Sequence, residues 1–367
     1  MYMPLFSGIG YFFNIITQIK RTVSHKSHLL MRTLLSILIF ICIISACQRA
    51  PDKLVTITGL TMGTTYSIKL ISQNITLEKE TIHANIEQIL ADINQSMSTY
   101  LSDSELSLLN QSKISDWQNL SKDLYFVIEH ANNVSFVTKG AFDITVGPLV
   151  NLWGFGPDPF TREIPADQLI ESTKQHSGYE KILFNKPLNQ ISKSDPDSYI
   201  DLSGIAKGFA VDKVANYLDG QGFQNYLVEI GGELIGKGIN ANREAWQIGI
   251  EQAKSLERSV QRIVSLNNIA MATSGDYRNY FEKKGIRYSH TIDPATGKPI
   301  NHNLASVTVL DKSAMHADAL ATAFMVLGTD KTHTLANELG IAIYTLSKSG
   351  KGFEERYNDY FKTYLSN

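Results

Sequence analysis

The chain has 367 residues, 43% of them hydrophobic and 19% charged, with a formal net charge of −2 at pH 7. That much apolar material supports one substantial core or two smaller ones, and the charge balance removes any electrostatic case for nucleic acid as a partner. Both cysteines, Cys42 and Cys47, fall in one apolar tract near the N-terminus, so no disulfide framework is available downstream.

The tract runs uncharged from Thr33 to Ala46, shorter than the roughly 18 to 20 residues of a spanning helix. Its length and its end, Ile44-Ser45-Ala46-Cys47, fit the apolar region and cleavage site of a bacterial lipoprotein signal, with Cys47 as the lipidated first residue of the mature chain. A short membrane anchor is the competing reading. Met31-Arg32 supplies a compact basic leader, which leaves residues 1–30 as an extension ahead of a second candidate start. The expected division is 1–46 as extension and signal, 47–52 as tether and 53–367 as one domain, because no long linker, charge block or repeat interrupts the remainder. A lipidated Cys47 suits an oxidising compartment outside the cytoplasm, where a free thiol is a liability.

"LVTITGLTMGTTYSIKLI" alternates apolar and polar on both sides of a Gly-containing turn and predicts a hairpin. Ile82, Ile86, Ile89 or Leu90, Ile93 and Met97 recur at helical spacing. A second helix is expected from Ser121 to a stop at Gly140, and a third from about Ile205 to Leu218. Strands follow: "YLVEI" and "ELIGKGI" across a Gly-Gly turn, then "WQIGIEQ", "ASVTVL" and "IAIYTL". Hairpins adjacent in sequence with helices inserted between them predict an α+β fold with a largely antiparallel sheet and flanking helices.

Several segments carry candidate chemistry. "GGELIGKG" matches a Walker A pattern up to its last position, where Gly238 replaces the required Ser or Thr; its strand-like flanks make it a Gly-rich hairpin. "DLSGIAKG" places Asp201 and Ser203 ahead of a helix with Lys207 in its first turn, which reads as an N-cap, as a phosphate site, or as both. "SHTIDPATGKPI" sets His290 at a strand end before an Asp293-Pro294-x-x-Gly297 turn. "MSTYLSDSELSLLN" contributes Tyr100, and "GAFDITVGPLVNLWGFG" contributes Asp143, Thr145 and Trp153. The rings suit either core packing or stacking on a planar heterocycle, to which Asp143 offers an acceptor.

"HADALATAF" is an apolar helix that starts near Asp311 or Ser313 and leaves Asp318 in its interior. Asp318 and Thr322 are four residues apart, so carboxylate and hydroxyl share one face. They form either a hydrogen-bonded pair or an oxygen site for a hard cation such as Mg²⁺. His316 points to a different face, which argues against zinc.

Taken in order, "MGTTYSI", "MSTYLSDSELSLLN", "GAFDITVGPLVNLWGFG", "DLSGIAKGFAVDKVA", "EIGGEL", "ATSGDYRNYF", "SHTIDPATGKPI" and "ADALATA" closely resemble the ApbE family of FAD:protein FMN transferases. The resemblance covers nearly all of the chain after Cys47. It implies a T-fold-like α+β architecture in a lipid-anchored enzyme on the periplasmic side of the inner membrane, although Gln48 lacks the Asp associated with retention there. The implied reaction is Mg²⁺-dependent cleavage of the FAD pyrophosphate, with FMN transferred through a phosphoester to a Thr hydroxyl of a client flavoprotein and AMP released. The implied clients are redox-complex subunits of the Na⁺-pumping NADH:quinone reductase or Rnf type.

By position, Met62, Tyr100, Ala141, Phe142, Asp143, Asp201, Lys207 and Ile292 resemble FAD-contacting residues. Asp318 and Thr322, with a backbone oxygen at Gly204, resemble the Mg²⁺ site. Lys207 and Mg²⁺ would neutralise the phosphates, and His290 is the candidate base or orienter of the acceptor, a role open to Asp318 only if the metal does not saturate it. The alternatives are a Mg²⁺-dependent FAD pyrophosphatase giving FMN and AMP, and a flavin-binding lipoprotein without chemistry.

Overall fold

In the computed structural model the first alternating segment is a hairpin, with Lys53–Thr61 antiparallel to Thr64–Ser72. Its two turn residues, Met62 and Gly63, both have positive φ, 48° and 70°, the turn whose twist matches the flanking strands. The structure describes residues 53–366 except 73–78, 114, 157–162, 252–259, 277–278 and 351. The 1–46 segment, Cys47 and the 48–52 tether lie outside the described residues.

The hairpin opens an eight-stranded sheet in which spatial order follows chain order: Lys53–Thr61, Thr64–Ser72, Tyr226–Ile230, Glu233–Lys237, Ile269–Gly275, Leu304–Asp311, Ala342–Ser349 and Gly352–Tyr357. Every neighbouring pair is antiparallel. The two-residue period sorts the side chains: Tyr226, Val228 and Ile230 enter the large core beneath the helices, while Leu227 faces a second core on the opposite side. "WQIGIEQ" is a strand, Trp246–Glu251, but it stands outside the large sheet and pairs with Val260–Leu266. Trp246, Ile250, Val264 and Leu266 from this ribbon meet Leu234, Met271, Leu310 and Leu346 of the sheet in the second core. The ribbon therefore does on one face what the helices do on the other.

The helix Lys79–Met97 buries Ile82, Ile86, Leu90, Ile93 and Met97, one stripe of its surface. Lys122–Val137 is capped by Ser121, whose hydroxyl accepts from the Leu124 N–H at 3.4 Å. The Gly-rich "GGELIGKG" segment is confirmed as a hairpin, with Gly231 and Gly232 at φ 62° and 104° between Tyr226–Ile230 and Glu233–Lys237. No helix among the described residues is long and apolar enough to cross a membrane.

Two helices form the centre of the helical layer. Ala314–Leu327 is buried on almost every side, and Ala206–Gly220 crosses so close to it that a Cβ added at Gly208 would lie 2.3 Å from the Ala314 carbonyl oxygen. Each supplies an interior aspartate to the N-terminus of the other. Asp212 accepts from the Ala314 and Met315 N–H groups at 2.8 and 3.0 Å and from the Ser313 hydroxyl at 2.7 Å. Asp318 accepts from the Gly208 N–H at 3.0 Å. The expectation that Asp201 or Ser203 caps the Ala206–Gly220 helix is corrected: the N-cap is Ile205, without a side-chain hydrogen bond. Asp201 instead closes its own turn, accepting from the Ser203 N–H at 2.8 Å and from the Ser203 hydroxyl.

Asp212→Ala leaves helix-terminal donors unpaired in a buried interface, at a cost of about 1–3 kcal/mol. The thermal midpoint is expected to fall by several degrees; a fall under about one degree would show that Asp212 is not a structural cap.

Candidate active site

A cleft of about 430 Å³ opens at one end of the sheet, where seven segments of the chain converge. The loops at 99–100 and 141–146 form one wall, and residues 273–275 with 290–294 form another. Asp201, Gly204 and Lys207 meet Asp318 and Thr322 at the cleft, beside Gly231 and Glu233 of the hairpin. Of the residues singled out from sequence, Tyr100, Ala141, Phe142, Asp143, Asp201, Gly204, Lys207, His290, Ile292, Asp318 and Thr322 all line it. Met62 does not; it sits in the hairpin turn with its side chain against the large core. The broader opening lined by Phe126, Phe209 and Lys213, about 730 Å³, is flanked by the ion pairs Lys213–Asp123 and Lys237–Asp219, both at 2.7 Å.

Asp318 and Thr322 both lie on the Ala314–Leu327 helix and both line the cleft. Asp318 is 5% exposed, and Thr322 lies one turn further along the same helix. Gly204 approaches so closely that a Cβ there would be 3.1 Å from the Thr322 hydroxyl oxygen and 3.2 Å from the Phe142 ring. A side chain at 204 would fill the space beside that hydroxyl, so Gly204 has only its backbone to offer. Carboxylate, hydroxyl and carbonyl are hard oxygen donors, a set that fits Mg²⁺. His316 turns away from the cleft and packs edge-on against His130, ring centroids 5.1 Å apart.

The charges also favour a cation. Lys207 Nζ lies 2.6 Å from Glu233 Oε2, and the two side chains are 29% and 4% exposed. Burial works against the Lys207 ammonium, yet Asp318 and Glu233 outweigh it and hold its pKa above the usual lysine value. Burial pushes the Asp318 carboxyl up, opposed by Lys207 and the Gly208 N–H. Burial and the nearby Asp318 push Glu233 up to about 7 despite its lysine. Two carboxylates share one ammonium, so a cation at Asp318 relieves the excess negative charge. Among the described residues, His176, Asp195 and Asp197 also have metal-like spacing, but none lines the cleft. Lys181 and Lys113 already pair with their carboxylates, at 3.1 and 2.5 Å.

His290 Nδ1 is 3.0 Å from the Asn279 carbonyl oxygen. A carbonyl can only accept, so Nδ1 carries the proton and Nε2 keeps its lone pair. Burial lowers the His290 pKa from the ordinary histidine value, and Lys207 adds to this. Phe155 stands edge-on to the ring at 6.3 Å.

Asp143 shapes the wall: its carboxylate accepts from the Thr145 N–H at 2.8 Å, the Thr145 hydroxyl at 2.6 Å and the Tyr179 N–H at 3.0 Å. Trp153 is core rather than a stacking platform; it is 3% exposed, and its indole N–H donates to the Gly297 carbonyl at 2.9 Å. Tyr100 is the exposed aromatic of the cleft, at 69%. Sequence reasoning missed Glu233, Phe155 and Asn279. For Glu233 a signal was present: an acidic residue directly after Gly-Gly, ahead of the apolar pair Leu234-Ile235.

The ApbE family model matches residues 62–345 of the chain. The FAD:protein FMN transferase of Vibrio cholerae is 45% identical over 336 residues, spanning 92% of this chain and 100% of that protein. The enzyme of the same description from Haemophilus influenzae is 44% identical, spanning 87% and 93%. Among solved structures, the flavin transferase ApbE from Vibrio cholerae matches with a TM-score of 0.81 at 44% identity, covering 86% of this chain and all of that one.

Proposed function

The chain belongs to the ApbE family, and from that premise we propose that it is an FAD:protein FMN transferase that attaches FMN to a Thr hydroxyl of a client protein. The observation that carries the reading is the meeting of Asp318, Thr322, Lys207 and His290 in one cleft. A pyrophosphate there would find an ammonium, a hard-oxygen cation site and a neutral imidazole together.

Asp318, Thr322 and the Gly204 carbonyl would hold Mg²⁺, which when bound supplies charge neutralisation at the phosphates. Lys207 adds a second positive group from the first turn of its helix, where the backbone also favours anions. Tyr100 offers an aromatic face at the rim. His290 Nε2 takes the proton of the acceptor hydroxyl as its oxygen attacks the phosphorus on the riboflavin side. A new P–O ester bond forms, the bridging P–O bond breaks, and AMP departs with the bonding electron pair.

The remaining parts of the proposal rest on sequence. The apolar tract ending at Cys47 supports a lipid anchor, and with it a place on the periplasmic face of the inner membrane. The clients are then redox-complex subunits of the Na⁺-pumping NADH:quinone reductase or Rnf type that carry the acceptor Thr.

The test is flavinylation in vitro. Protein, FAD, Mg²⁺ and a client domain with its acceptor Thr are expected to give a fluorescent client band on a denaturing gel. Chelation of Mg²⁺ or replacement of that Thr by Ala should remove it. FMN and AMP produced equally with and without client, and no labelled band, would establish a pyrophosphatase instead. Retained FAD with no product in either arm would establish a carrier.

A further inference from the structure

Glu233 has no part in the chemistry above, yet it is a carboxylate almost sealed from solvent at the cleft, with side-chain exposure of 4%. A buried ion pair of this kind adds little to stability, so its place asks for another reason. The hairpin touches Lys207 at two points. At Gly231 a Cβ would come within 3.2 Å of Lys207 Cδ, so the turn lies against the lysine stem. Two residues on, Glu233 Oε2 meets the ammonium at 2.6 Å, as a charge pair without the alignment of a hydrogen bond. The turn itself is pinned by Glu229, which accepts from the Gly232 N–H at 2.9 Å.

Asp318 attracts the same ammonium from the helix across the cleft. A lysine head on a flexible four-carbon stem goes where its counter-charge is. With Glu233 neutral, Asp318 is its remaining strong partner, and an ammonium on Asp318 competes with a divalent cation for the same carboxylate.

We propose that Glu233 is a positioning residue for Lys207: it holds the ammonium against the hairpin and so keeps Asp318 free to take the cation. This inference rests on the Mg²⁺ reading of Asp318 and Thr322. It assigns Glu233 an action exerted through Lys207, not a contact with metal or substrate.

The test is a double-mutant cycle on Mg²⁺ affinity, measured by calorimetric titration of the protein saturated with FAD. Glu233→Gln is expected to weaken Mg²⁺ binding about tenfold in the presence of Lys207 and by less than about twofold in the Lys207→Met background. An equal loss in both backgrounds would mean that Glu233 acts on the cation directly, and no loss in either would mean that it does not act on it at all; each overturns the proposal. Glu233→Asp keeps the charge but shortens its reach, and the same pattern at about threefold is expected there should the Gln form fail to fold. Wild-type protein that takes up no Mg²⁺ overturns the metal reading and the role of Glu233 with it. Wild-type uptake with any of the contrary patterns overturns only the latter.

Discussion

Asp318→Asn is expected to abolish flavin transfer while leaving the protein folded. The two roles of this carboxylate come apart in that substitution. An Asn oxygen can still accept from the Gly208 N–H, now met at 3.0 Å, so the helix terminus stays capped. The charge that would hold Mg²⁺ is gone. Losing several kcal/mol of charge stabilisation at the phosphates corresponds to a fall of roughly a thousandfold or more in turnover. The thermal midpoint should hold or rise slightly, because the change also removes one of two carboxylates competing for Lys207. Asp318→Ala removes both functions and leaves a buried N–H unpaired, at about 1–3 kcal/mol of stability. Turnover assays and melting curves on the pair separate the roles. An Asn variant that retains a tenth of wild-type turnover with unchanged Mg²⁺ dependence would remove Asp318 from the metal site.

Replacement of His290 by Gln is expected to lower the transfer rate by about 10²–10⁴-fold, the usual contribution of a general base, with FAD binding changed little. The pH dependence carries the sharper information. His290 works only as the neutral ring. Its pKa lies below the usual histidine value, through burial first and then Lys207, against the opposing pull of the Asn279 carbonyl and Asp276. The ring is therefore neutral at pH 7 and above, where the rate should be flat. The rate should fall only at a pH below the ordinary histidine range, where the ring gains its proton. In the Gln variant that acidic limb should disappear along with the rate. If the rate falls but the limb survives, His290 orients the acceptor and another group takes the proton; if the rate falls less than threefold, it does neither.

The fold was legible where local rules and tertiary demands agree. The hairpin at 53–72 was written in its alternation and its Met-Gly turn, and the 79–97 helix in the spacing of Ile82, Ile86, Leu90, Ile93 and Met97. The 246–251 strand was legible as a strand but not in its place, since alternation reports that one face is buried and not which surface buries it. Trp153 stayed open between core packing and stacking for a related reason: an indole near Gly-rich sequence looks the same whether it meets a ligand or, as here, the Gly297 carbonyl.

At the site, spacing along one helix was sufficient to put Asp318 and Thr322 on a common face, because helical geometry is local. Resemblance to the ApbE blocks singled out Lys207, Gly204, Asp201 and His290 as parts of the same site. The hairpin's carboxylate lay within one of those blocks, "EIGGEL", but nothing in either source tied it to Lys207. Glu233 reaches Lys207, more than twenty residues earlier in the chain, because the hairpin and the helix are packed together. The same packing makes Asp212 and Asp318 cap one another's helices. The sequence by itself determined the 53–72 hairpin, the 79–97 helix and the common face of Asp318 and Thr322 through periodicity within single segments, and the antiparallel sheet class through hairpins adjacent along the chain. Only the tertiary structure decided which charges share Lys207 and which donors Asp318 satisfies, because burial and electrostatic coupling depend on distances between segments that no spacing along the chain encodes.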